Sequence, residues 1–246
     1  MKRSRLDLLL VARGLAESRE KAQRLVLAGE VLVDDAPAAK PGHEYPLDCD
    51  VRVRKQERFV GRGGLKLDEA FARFPLLSAE GKICVDVGAS TGGFTDCLLQ
   101  QGASKVFAVD VGKSQLHPRL AADPRVVVMD GRNARHLEPA DFPDVPELAV
   151  ADVSFISLRL VLPAIHAILR PGGEVVALVK PQFEAGRDEV SKGGVVRDPA
   201  IRQHVVDRIR SFGESTLGWL WLGVCPSPIQ GPAGNVEFLS YWSKPS

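Results

Sequence analysis

The 246-residue sequence predicts an α/β protein with a mostly parallel sheet covered on both faces, preceded by a small α+β module. Two observations carry this prediction. From residue 82 onward, short apolar runs alternate with segments that have the spacing of helices. Residues 1–60 instead combine two short helical segments with short alternating strands. We therefore expect domains at 1–60 and 82–246, joined by a linker and a leading helix at 61–81.

The first module begins with two predicted helices. Ser4 and Asp7 have the spacing of a capping box, which predicts a short helix over 5–13. Ser18 is expected to cap a second helix, which Gly29 ends. The segments EVLVDD and CDVRVRKQ then alternate like strands, and the second strand has one apolar and one basic face.

Charge is unevenly distributed along the chain. Residues 1–66 carry 14 Lys and Arg against 10 Asp and Glu, a balance of +4, whereas residues 67–246 carry 18 against 21, a balance of −3. A basic N-terminal segment followed by a near-neutral remainder is typical of an attached phosphate-binding module. A solvated charged surface explains the excess equally well, so charge alone leaves both interpretations open.

The segment RFVGRGGLKLDEAFARF leads into the second domain. Its glycines, Gly61, Gly63 and Gly64, suit a bend or hinge, and the residues that follow have helical spacing. Seven apolar segments then predict the strands of the sheet, at 82–88, 105–112, 125–131, 147–154, 173–182, 218–229 and 235–244. Helices are expected from about residue 94, near 158–169 and near 199–212.

The turn after the first of these strands, DVGASTGGFT, predicts a ligand site. In parallel sheets, ligands lie outside the carboxyl ends of the strands, and the first strand-to-helix turn approaches them most closely. Gly88, Gly92 and Gly93 allow positive φ and a close backbone approach. Their spacing, G-x-x-x-G-G, matches neither the dinucleotide fingerprint nor the phosphate loop that ends in Gly-Lys.

Acidic residues at the strand ends favour a cationic ligand. Asp86 precedes the turn, Asp110 ends the second strand 22 residues after Gly88, and Asp130 ends the third. An acid in the position of Asp110 accepts hydrogen bonds from ribose hydroxyls. Three acids at one edge suit an adenosine that bears a sulfonium and an ammonium, so the expected cofactor is S-adenosylmethionine. The cofactor-binding residues predicted on this basis are Asp86, Gly88, Ala89, Ser90, Thr91, Gly92, Gly93, Phe94, Asp110 and Asp130.

Three further charged residues lie at or near strand ends. Asp152 and Lys180 follow apolar strands at the same carboxyl edge, and a lysine there is costly unless it is paired or used. A simple salt bridge between these two is the alternative. Glu237 lies between Val236 and Phe238 and points away from both, which an ordinary solvent-facing strand carboxylate would also do.

The N-terminal stretch RLDLLLVARGLAESREKAQRLVLAGEVLVDDAPAAKPG resembles the S4-type RNA-binding domain, through its S-R-x-x-A helix, its G-x-V-x-V turn and its later K-P-G. The resemblance implies RNA contacts through Arg19, Lys21 and Arg24, together with basic residues of the strands. Cations spaced along a helix can follow an RNA phosphate path. An exposed helix charge without RNA remains an equal alternative for each of these residues.

The chain as a whole resembles the TlyA (haemolysin A-like) family, through GRGGLKL, DVGASTGGFTD, ADVSFISL, VKPQFEAGRDEVSKGGVVRD and GNVEFL. Lys66, Asp152, Lys180 and Glu237 are similar in order and context to the K-D-K-E tetrad of FtsJ-like ribose 2′-O-methyltransferases. Ala89 and Ser90 depart from the pattern, because many methyltransferases have a further glycine there. The resemblance implies a Rossmann-like class I methyltransferase with a mostly parallel seven-stranded sheet.

The resemblance also implies a reaction, methyl transfer from S-adenosylmethionine to ribose 2′-hydroxyls of ribosomal RNA, at cytidines of the 16S or 23S molecule. Lys180 would stabilise the developing alkoxide as a cation or accept its proton as a base, and the sequence leaves both roles open. Lys66, Asp152 and Glu237 complete the predicted catalytic set. The segment from Pro181 to Pro199 is expected to border the RNA cleft. The RNA-binding residues predicted in all are Arg3, Arg5, Arg19, Lys21, Arg24, Arg62, Arg187, Lys192 and Arg197.

Composition argues against several other classes. The four cysteines lack C-x-x-C spacing and the five histidines form no ligand motif, so no metal site is expected. No apolar run is long enough to span a bilayer and no signal cleavage site follows the N-terminus, so we expect a cytoplasmic monomer without membrane contact whose partner is ribosomal RNA or a ribosomal subunit. The alternatives are a non-catalytic RNA-binding or ribosome-assembly protein and a membrane-active haemolysin.

Overall fold

The computed structural model describes residues 2–53, 58–231 and 233–246, with Arg187 described by its backbone alone. The chain divides into two compact units, Met1–Arg58 and Phe59–Ser246. The segment 61–81 therefore lies within the second unit.

The first unit combines two helices with short strands. In chain order its described elements are β1 (Arg3–Arg5), α1 (Leu6–Ala12), α2 (Arg19–Leu27), β2 (Val31–Val33), β3 (Ala36–Pro37), β4 (Glu44–Pro46) and β5 (Val51–Val53). Strand β2 lies between β3 and β5 in an antiparallel sheet, and β1 pairs with β4. Leu6, Leu10, Ala22 and Val31 are fully buried between the helices and the sheet. This small core confirms the predicted α+β arrangement.

The two predicted helix caps have different outcomes. Ser18 caps α2, because its Oγ accepts a hydrogen bond from the Lys21 amide at 3.2 Å. The capping box of Ser4 and Asp7 is wrong: α1 begins after Arg5 without a side-chain cap, and Ser4 lies in β1. Asp7 is fully buried and accepts hydrogen bonds from arginines instead, which is why it does not cap the helix.

The second unit contains the seven-stranded sheet. Its helices and strands are α3 (Gly63–Arg73), β6 (Ile83–Val87), α4 (Gly93–Gln100), β7 (Lys105–Asp110), α5 (Pro118–Ala121), β8 (Val126–Asp130), β9 (Leu148–Ala151), α6 (Leu158–Ile168), β10 (Glu174–Val179), α7 (Pro181–Glu184), α8 (Pro199–Leu217), β11 (Leu220–Pro226) and β12 (Phe238–Ser243). All seven predicted strands are present. Helix α8 continues past the predicted end near residue 212, because the chain first reverses at Gly218, where φ is +68°.

The strand order in the sheet is β11-β12-β10-β9-β6-β7-β8. The five strands from β10 to β8 run parallel, whereas β12 is antiparallel to both β10 and β11. Two clusters of buried apolar residues include side chains of the central strands, which is the pattern of a sheet covered on both faces. The mostly parallel α/β fold is therefore confirmed.

The pairing of strands brings distant residues to one edge of the sheet. Asp152 directly follows β9, and Lys180 directly follows β10. Because β12 is antiparallel to β10, with Phe238 opposite Val179, Glu237 lies at the same edge just before β12 begins. Three charged residues from separate parts of the chain therefore meet where parallel sheets bind ligands.

Gly61 before α3 and Gly63 and Gly64 in its first turn lie in close packing rather than in a free hinge. They pack against the glycine turn: a Cβ on Gly93 would lie 2.8 Å from the Gly64 amide nitrogen and 3.1 Å from the Gly61 carbonyl oxygen. A Cβ on Gly64 would lie 2.2 Å from the Phe59 ring. Close approach of two backbone segments, rather than flexibility, therefore explains why this stretch contains glycine.

Replacement of Gly93 by Ala is expected to destabilise the second unit by about 1–3 kcal/mol, because the added methyl group meets backbone atoms that cannot move aside. The measurement is the midpoint of urea unfolding at constant m-value. Gly186→Ala is the matched control, since Gly186 has a φ of −64° and a Cβ there makes only ordinary contact with Glu189. Equal stability of the two variants would contradict the proposed packing.

Candidate active site

Two adjoining cavities lie at the carboxyl edge of the sheet. The larger has a volume of about 1340 Å³ and the smaller about 340 Å³. Both are lined by Gly88, Ser90 and Asp152, so they form one connected site. The larger extends towards the end of β7 and the smaller towards Lys66 and Lys180.

Residues of the glycine turn line both cavities. Gly88 has a φ of +89°, and a Cβ there would lie 2.7 Å from the carbonyl oxygen of Asp152. Only glycine permits this approach of β6 to the segment after β9. Ser90 has a φ of +48°, which is uncommon for a residue with a side chain, and its amide donates to Asp110 Oδ2 at 2.8 Å. The predicted turn residues Ala89, Ser90, Thr91, Gly93 and Phe94 line the smaller cavity, whereas Gly92 is buried against Leu116 and Leu120.

The three acids predicted to contact the cofactor have different environments. Asp110 lines the larger cavity, and its two oxygens accept hydrogen bonds from the Ser90 amide and from the Gly112 amide at 2.7 Å. Asp130 is exposed, lines neither cavity and accepts a hydrogen bond from the Ser114 amide at 2.7 Å. Of the three acids, only Asp110 is present on the described cavity walls, and contact of Asp86 and Asp130 with the cofactor stays a prediction.

Asp86 lies beneath the turn rather than in it. Its side chain is fully buried, and Oδ2 accepts a hydrogen bond from the Thr95 hydroxyl at 2.7 Å, whereas Oδ1 has no partner among the described atoms. Burial raises the pKa of the Asp86 carboxyl to about 7, the Thr95 hydrogen bond opposes that rise, and the charge of Asp152 adds to it. A central strand places successive side chains on opposite faces, which explains why proximity in sequence to the turn did not expose this carboxylate.

The four residues of the predicted catalytic set form one ionic network. Lys66 Nζ lies 2.8 Å from Glu237 Oε2 and 3.4 Å from Asp152 Oδ2. Lys180 Nζ lies 2.6 Å from Asp152 Oδ1. The residues Lys66, Lys180 and Glu237 are 8%, 6% and 1% exposed, so Glu237 is no solvent-facing strand carboxylate. The salt bridge between Lys180 and Asp152 exists, but it is part of a larger cluster that borders a cavity.

Two polar residues that the sequence interpretation missed support this network. Ser154 Oγ accepts a hydrogen bond from Lys180 Nζ at 2.8 Å. Gln182 Nε2 donates to Glu237 Oε1 at 3.1 Å. Each lies two residues beyond a charged residue at a strand end, Asp152 and Lys180, and this spacing is the signal that could have identified them.

Phe155 is a further residue that the sequence did not single out. It is 90% exposed, has a φ of +62° and lines both cavities. Its ring lies 5.0 Å from that of Phe183, between ring centroids. A large aromatic side chain in a left-handed conformation is strained, and such strain is concentrated at functional sites.

The segment between Pro181 and Pro199 contains local structure of its own. The buried Glu184 carboxylate accepts hydrogen bonds from the Ser157 hydroxyl and the Leu158 amide, both at 2.6 Å, at the start of α6. The buried Asn235 side chain accepts from the Val196 amide at 3.0 Å and donates to a carbonyl of the same segment. These bonds hold the segment against the elements that carry the ionic network.

The predicted RNA-binding residues fall on both units. Arg62, Lys192 and Arg197 are exposed in the second unit, and the side chain of Arg187 lies outside the described residues. In the first unit, Arg3, Lys21 and Arg24 are exposed, whereas Arg5 and Arg19 form ion pairs with the buried Asp7. Their contacts with RNA stay predictions.

Two searches of the described residues gave negative findings. Within 2–53, 58–231 and 233–246, no group of three or more His, Cys, Asp or Glu side chains is arranged to hold a metal ion. Over the same ranges, no helix has both the length and the apolar character needed to cross a bilayer.

Comparison with protein families assigns both units. The family of FtsJ-like methyltransferases matches residues 59–244, and the S4 domain matches residues 4–47. The first match covers most of the chain and includes the glycine turn and the whole ionic network.

Individual proteins extend this similarity to both units together. The chain is 51% identical over 240 residues to a Bacillus subtilis protein provisionally named as the rRNA methyltransferase YqxC, covering 97% of this chain and 85% of that one. It is 45% identical over 239 residues to the 16S/23S rRNA (cytidine-2′-O)-methyltransferase TlyA of Mycobacterium tuberculosis, covering 96% and 88%.

Solved structures agree with these matches. A Streptococcus thermophilus protein provisionally named as a hemolysin is 46% identical, with a TM-score of 0.76 over 100% of this chain and 90% of that one. The N-methyltransferase NodS of Bradyrhizobium japonicum, solved with S-adenosyl-L-homocysteine, is 14% identical, with a TM-score of 0.50 over 73% and 87%. The second likeness shows a shared fold alone.

Replacement of Asp86 by Asn is expected to remove a pH-dependent loss of stability. Between about pH 4 and pH 7, the folded protein keeps a proton on Asp86 that the unfolded chain has released, so the free energy of unfolding falls as the pH rises. The free energy of unfolding of the wild type, compared with that of Asp86→Asn at the same pH, should therefore fall by on the order of 3 kcal/mol from about pH 4 to about pH 8. The measurement is urea unfolding across that range, with Asp130→Asn as the exposed control. A difference between wild type and Asp86→Asn that does not change with pH would contradict this interpretation.

Proposed function

The chain belongs to the FtsJ-like methyltransferase family, and from this premise we propose that it transfers the methyl group of S-adenosylmethionine to a ribose 2′-hydroxyl of ribosomal RNA. The observation that carries the proposal is the network of Lys66, Asp152, Lys180 and Glu237 beside the glycine turn. Family membership makes the chain a methyltransferase. The cofactor, the attacked oxygen and the RNA target are the proposed part.

The larger cavity has features that fit S-adenosylmethionine. Gly88 lines this cavity without a side chain, and Leu160, which is exposed, offers apolar surface for an adenine ring. Each Asp110 oxygen accepts a hydrogen bond from one backbone amide and retains a second lone pair for a hydrogen bond from a ribose hydroxyl. When bound, S-adenosylmethionine supplies a methyl group that is electrophilic because it is attached to a sulfonium. Asp110 and the glycine turn are the groups that would hold it.

Lys180 is the residue proposed to act on the attacked oxygen. A ribose hydroxyl is a weak nucleophile, so the site has to stabilise the negative charge that develops as the oxygen bonds to the methyl carbon and loses its proton. Lys180 Nζ directs two contacts to Asp152 and Ser154, and an ammonium has three N–H donors. The remaining donor can point at the substrate oxygen, and the low exposure of Lys180 strengthens that interaction.

The other members of the network keep Lys180 in place. Asp152 contacts both lysines, so its carboxylate fixes the distance between them. Lys66 is fixed in turn by Glu237, which Gln182 orients. A fixed arrangement of this kind needs no rearrangement when charge develops on the substrate.

Ribosomal RNA is proposed as the substrate on the basis of the first unit and the relatives. Residues 4–47 match the S4 domain, and exposed basic side chains lie within that range. The relative from M. tuberculosis acts on cytidines of 16S and 23S rRNA by its name. We propose cytidines of one or both molecules as targets, and RNA phosphates as the groups bound by the basic residues.

The central test is transfer of labelled methyl from S-adenosylmethionine to ribosomal subunits and to free ribosomal RNA. Lys180→Met is expected to lower kcat by about 10²- to 10³-fold while the affinity for S-adenosylmethionine is unchanged, because the substitution removes charge stabilisation and leaves the larger cavity intact. The labelled position is identified by its resistance to alkaline cleavage, which requires a free 2′-hydroxyl. A wild-type protein that labels neither substrate contradicts the enzymatic proposal and favours RNA binding without catalysis.

Lys180→Arg separates the two possible roles of Lys180. Arginine keeps the positive charge but does not accept a proton at any accessible pH. Measurable activity of Lys180→Arg together with an inactive Lys180→Met supports a cation that stabilises the alkoxide. Inactivity of both variants at every pH contradicts that assignment and supports a base.

Replacement of Asp110 by Asn is expected to weaken S-adenosylmethionine binding by roughly 10- to 100-fold, because a carboxylate that accepts ribose hydroxyls is replaced by an amide. The measurement is isothermal titration of the free protein with the cofactor. Asp130→Asn is the matched control and should bind with wild-type affinity, since Asp130 lines neither cavity. An equal loss in both variants would show that the two acids act together after all.

A further inference from the structure

The buried carboxylate of Asp7 joins two arginines in the first unit. Asp7 is 0% exposed, and both of its oxygens have their hydrogen bonds satisfied within the unit. Oδ1 accepts from Arg5 Nε at 3.1 Å and the Leu8 amide at 3.0 Å, and Oδ2 accepts from Arg5 Nη2 at 2.9 Å, Arg19 Nε at 3.0 Å and Gln23 Nε2 at 3.0 Å.

The two arginines remain accessible although they are anchored. Their side chains are 40% exposed for Arg5 and 54% exposed for Arg19. Each guanidinium carries five N–H donors, of which Arg5 directs two and Arg19 one at Asp7. Asp7 leaves the remaining donors of both groups unused. Two cations with the Asp7 carboxylate leave a formal charge of +1, beside which Glu44 on the paired strand β4 adds a negative charge.

The neighbouring backbone fixes the orientation of Arg5 further. A Cβ on Gly42 would lie 3.1 Å from both terminal nitrogens of Arg5, so the guanidinium lies closely against this glycine. The turn that contains Gly42 is tied to the start of α1, because the Leu6 amide donates to the His43 carbonyl and the Asp7 amide to the Pro41 carbonyl. The backbone of the K-P-G stretch therefore lies against the guanidinium group of Arg5.

Stability alone is a weak explanation for this arrangement. A buried ion pair often contributes no more than well-packed apolar residues of the same volume, because the charges lose their hydration. The effect that such a cluster does produce is a fixed direction for its arginines, whose planar groups match the geometry of phosphate oxygens.

We propose that Asp7 is a positioning residue for RNA binding, which holds the guanidinium groups of Arg5 and Arg19 in fixed orientations so that together they bind phosphates of one RNA backbone. The inference rests on the proposed function, because that function makes RNA the partner of this unit. Asp7 itself does not contact the RNA.

The test compares Asp7→Asn with wild type in the full-length protein. Asparagine directs an N–H donor at one of the guanidinium groups, so at least one arginine loses its acceptor and its fixed orientation. Although the substitution adds a positive charge to the unit, we expect affinity for bacterial ribosomal RNA to fall by about tenfold, while affinity for poly(U) is unchanged or rises. In methyl-transfer assays, the KM for RNA should rise and kcat at saturating RNA should stay at the wild-type value.

Asp50→Asn is the matched control for charge. Asp50 is an exposed carboxylate of the same unit and lies 2.5 Å from Arg52 in an ion pair, so its replacement makes the same change in charge without disturbing a buried cluster. We expect its RNA affinity to equal or exceed that of the wild type. If folded Asp7→Asn binds ribosomal RNA as tightly as Asp50→Asn does, the proposal is wrong.

A second variant covers the case in which Asp7→Asn does not fold. Arg5→Lys combined with Arg19→Lys keeps both charges and the ion pairs but removes the rigid, forked donors. If Asp7 positions the arginines, this double variant should bind ribosomal RNA more weakly than the wild type does. If charge alone matters, its affinity for ribosomal RNA should equal that of the wild type. Where Asp7→Asn does fold, adding it to this double variant should cause no further loss of affinity, and an independent further loss overturns the proposal.

The two proposals can fail separately. If the wild type transfers no methyl group to ribosomal RNA while Asp7→Asn still loses RNA affinity, the proposed reaction is wrong and the role of Asp7 stands. If methyl transfer is intact and Asp7→Asn behaves like Asp50→Asn, only the role of Asp7 is wrong.

Discussion

The candidate site depends on the carboxylate of Asp152, which contacts two buried lysines at once. Burying two ammonium groups side by side is costly unless anions neutralise them and accept their hydrogen bonds. Asp152 does this for Lys180 through Oδ1 and for Lys66 through Oδ2, and Glu237 supplies the second negative charge. The network as a whole carries no formal net charge. Lys180 therefore lies next to the cavity with its positive charge neutralised by neighbouring carboxylates.

The fold supplies this network through strand direction. Parallel strands β9 and β10 end at the same edge, which brings Asp152 beside Lys180, and the antiparallel β12 starts at that edge, which adds Glu237. Lys66 comes from α3, whose entry to the site requires the close packing of Gly64 on Gly93. The glycines at the start of α3 and those of the turn are therefore one structural feature rather than two.

Each unit uses one carboxylate to orient two basic side chains, Asp7 in the first and the partly buried Asp152 in the second, and the exposure of the basic side chains separates their chemistry. Arg5 and Arg19 around Asp7 are 40% and 54% exposed, which suits binding of a large anion from solvent. The two lysines around Asp152 are largely buried, which suits stabilisation of a charge that develops inside a cavity. The same ionic arrangement thus serves recognition in one case and chemistry in the other.

The sequence by itself determined the order of the strands and helices along the chain and the edge at which Asp152 and Lys180 lie, because apolar runs and their ends are local features of the chain. That Glu237 joins them at this edge depends on the antiparallel pairing of β12 with β10. The sequence did not determine which acids reach the cavity: Asp86 is buried against Thr95, whereas Asp110 lies on the wall. It likewise gave no sign that Ser4 and Asp7 fail to cap α1. These outcomes depend on side-chain direction and on contacts between segments far apart in the chain, and only the tertiary structure decides both.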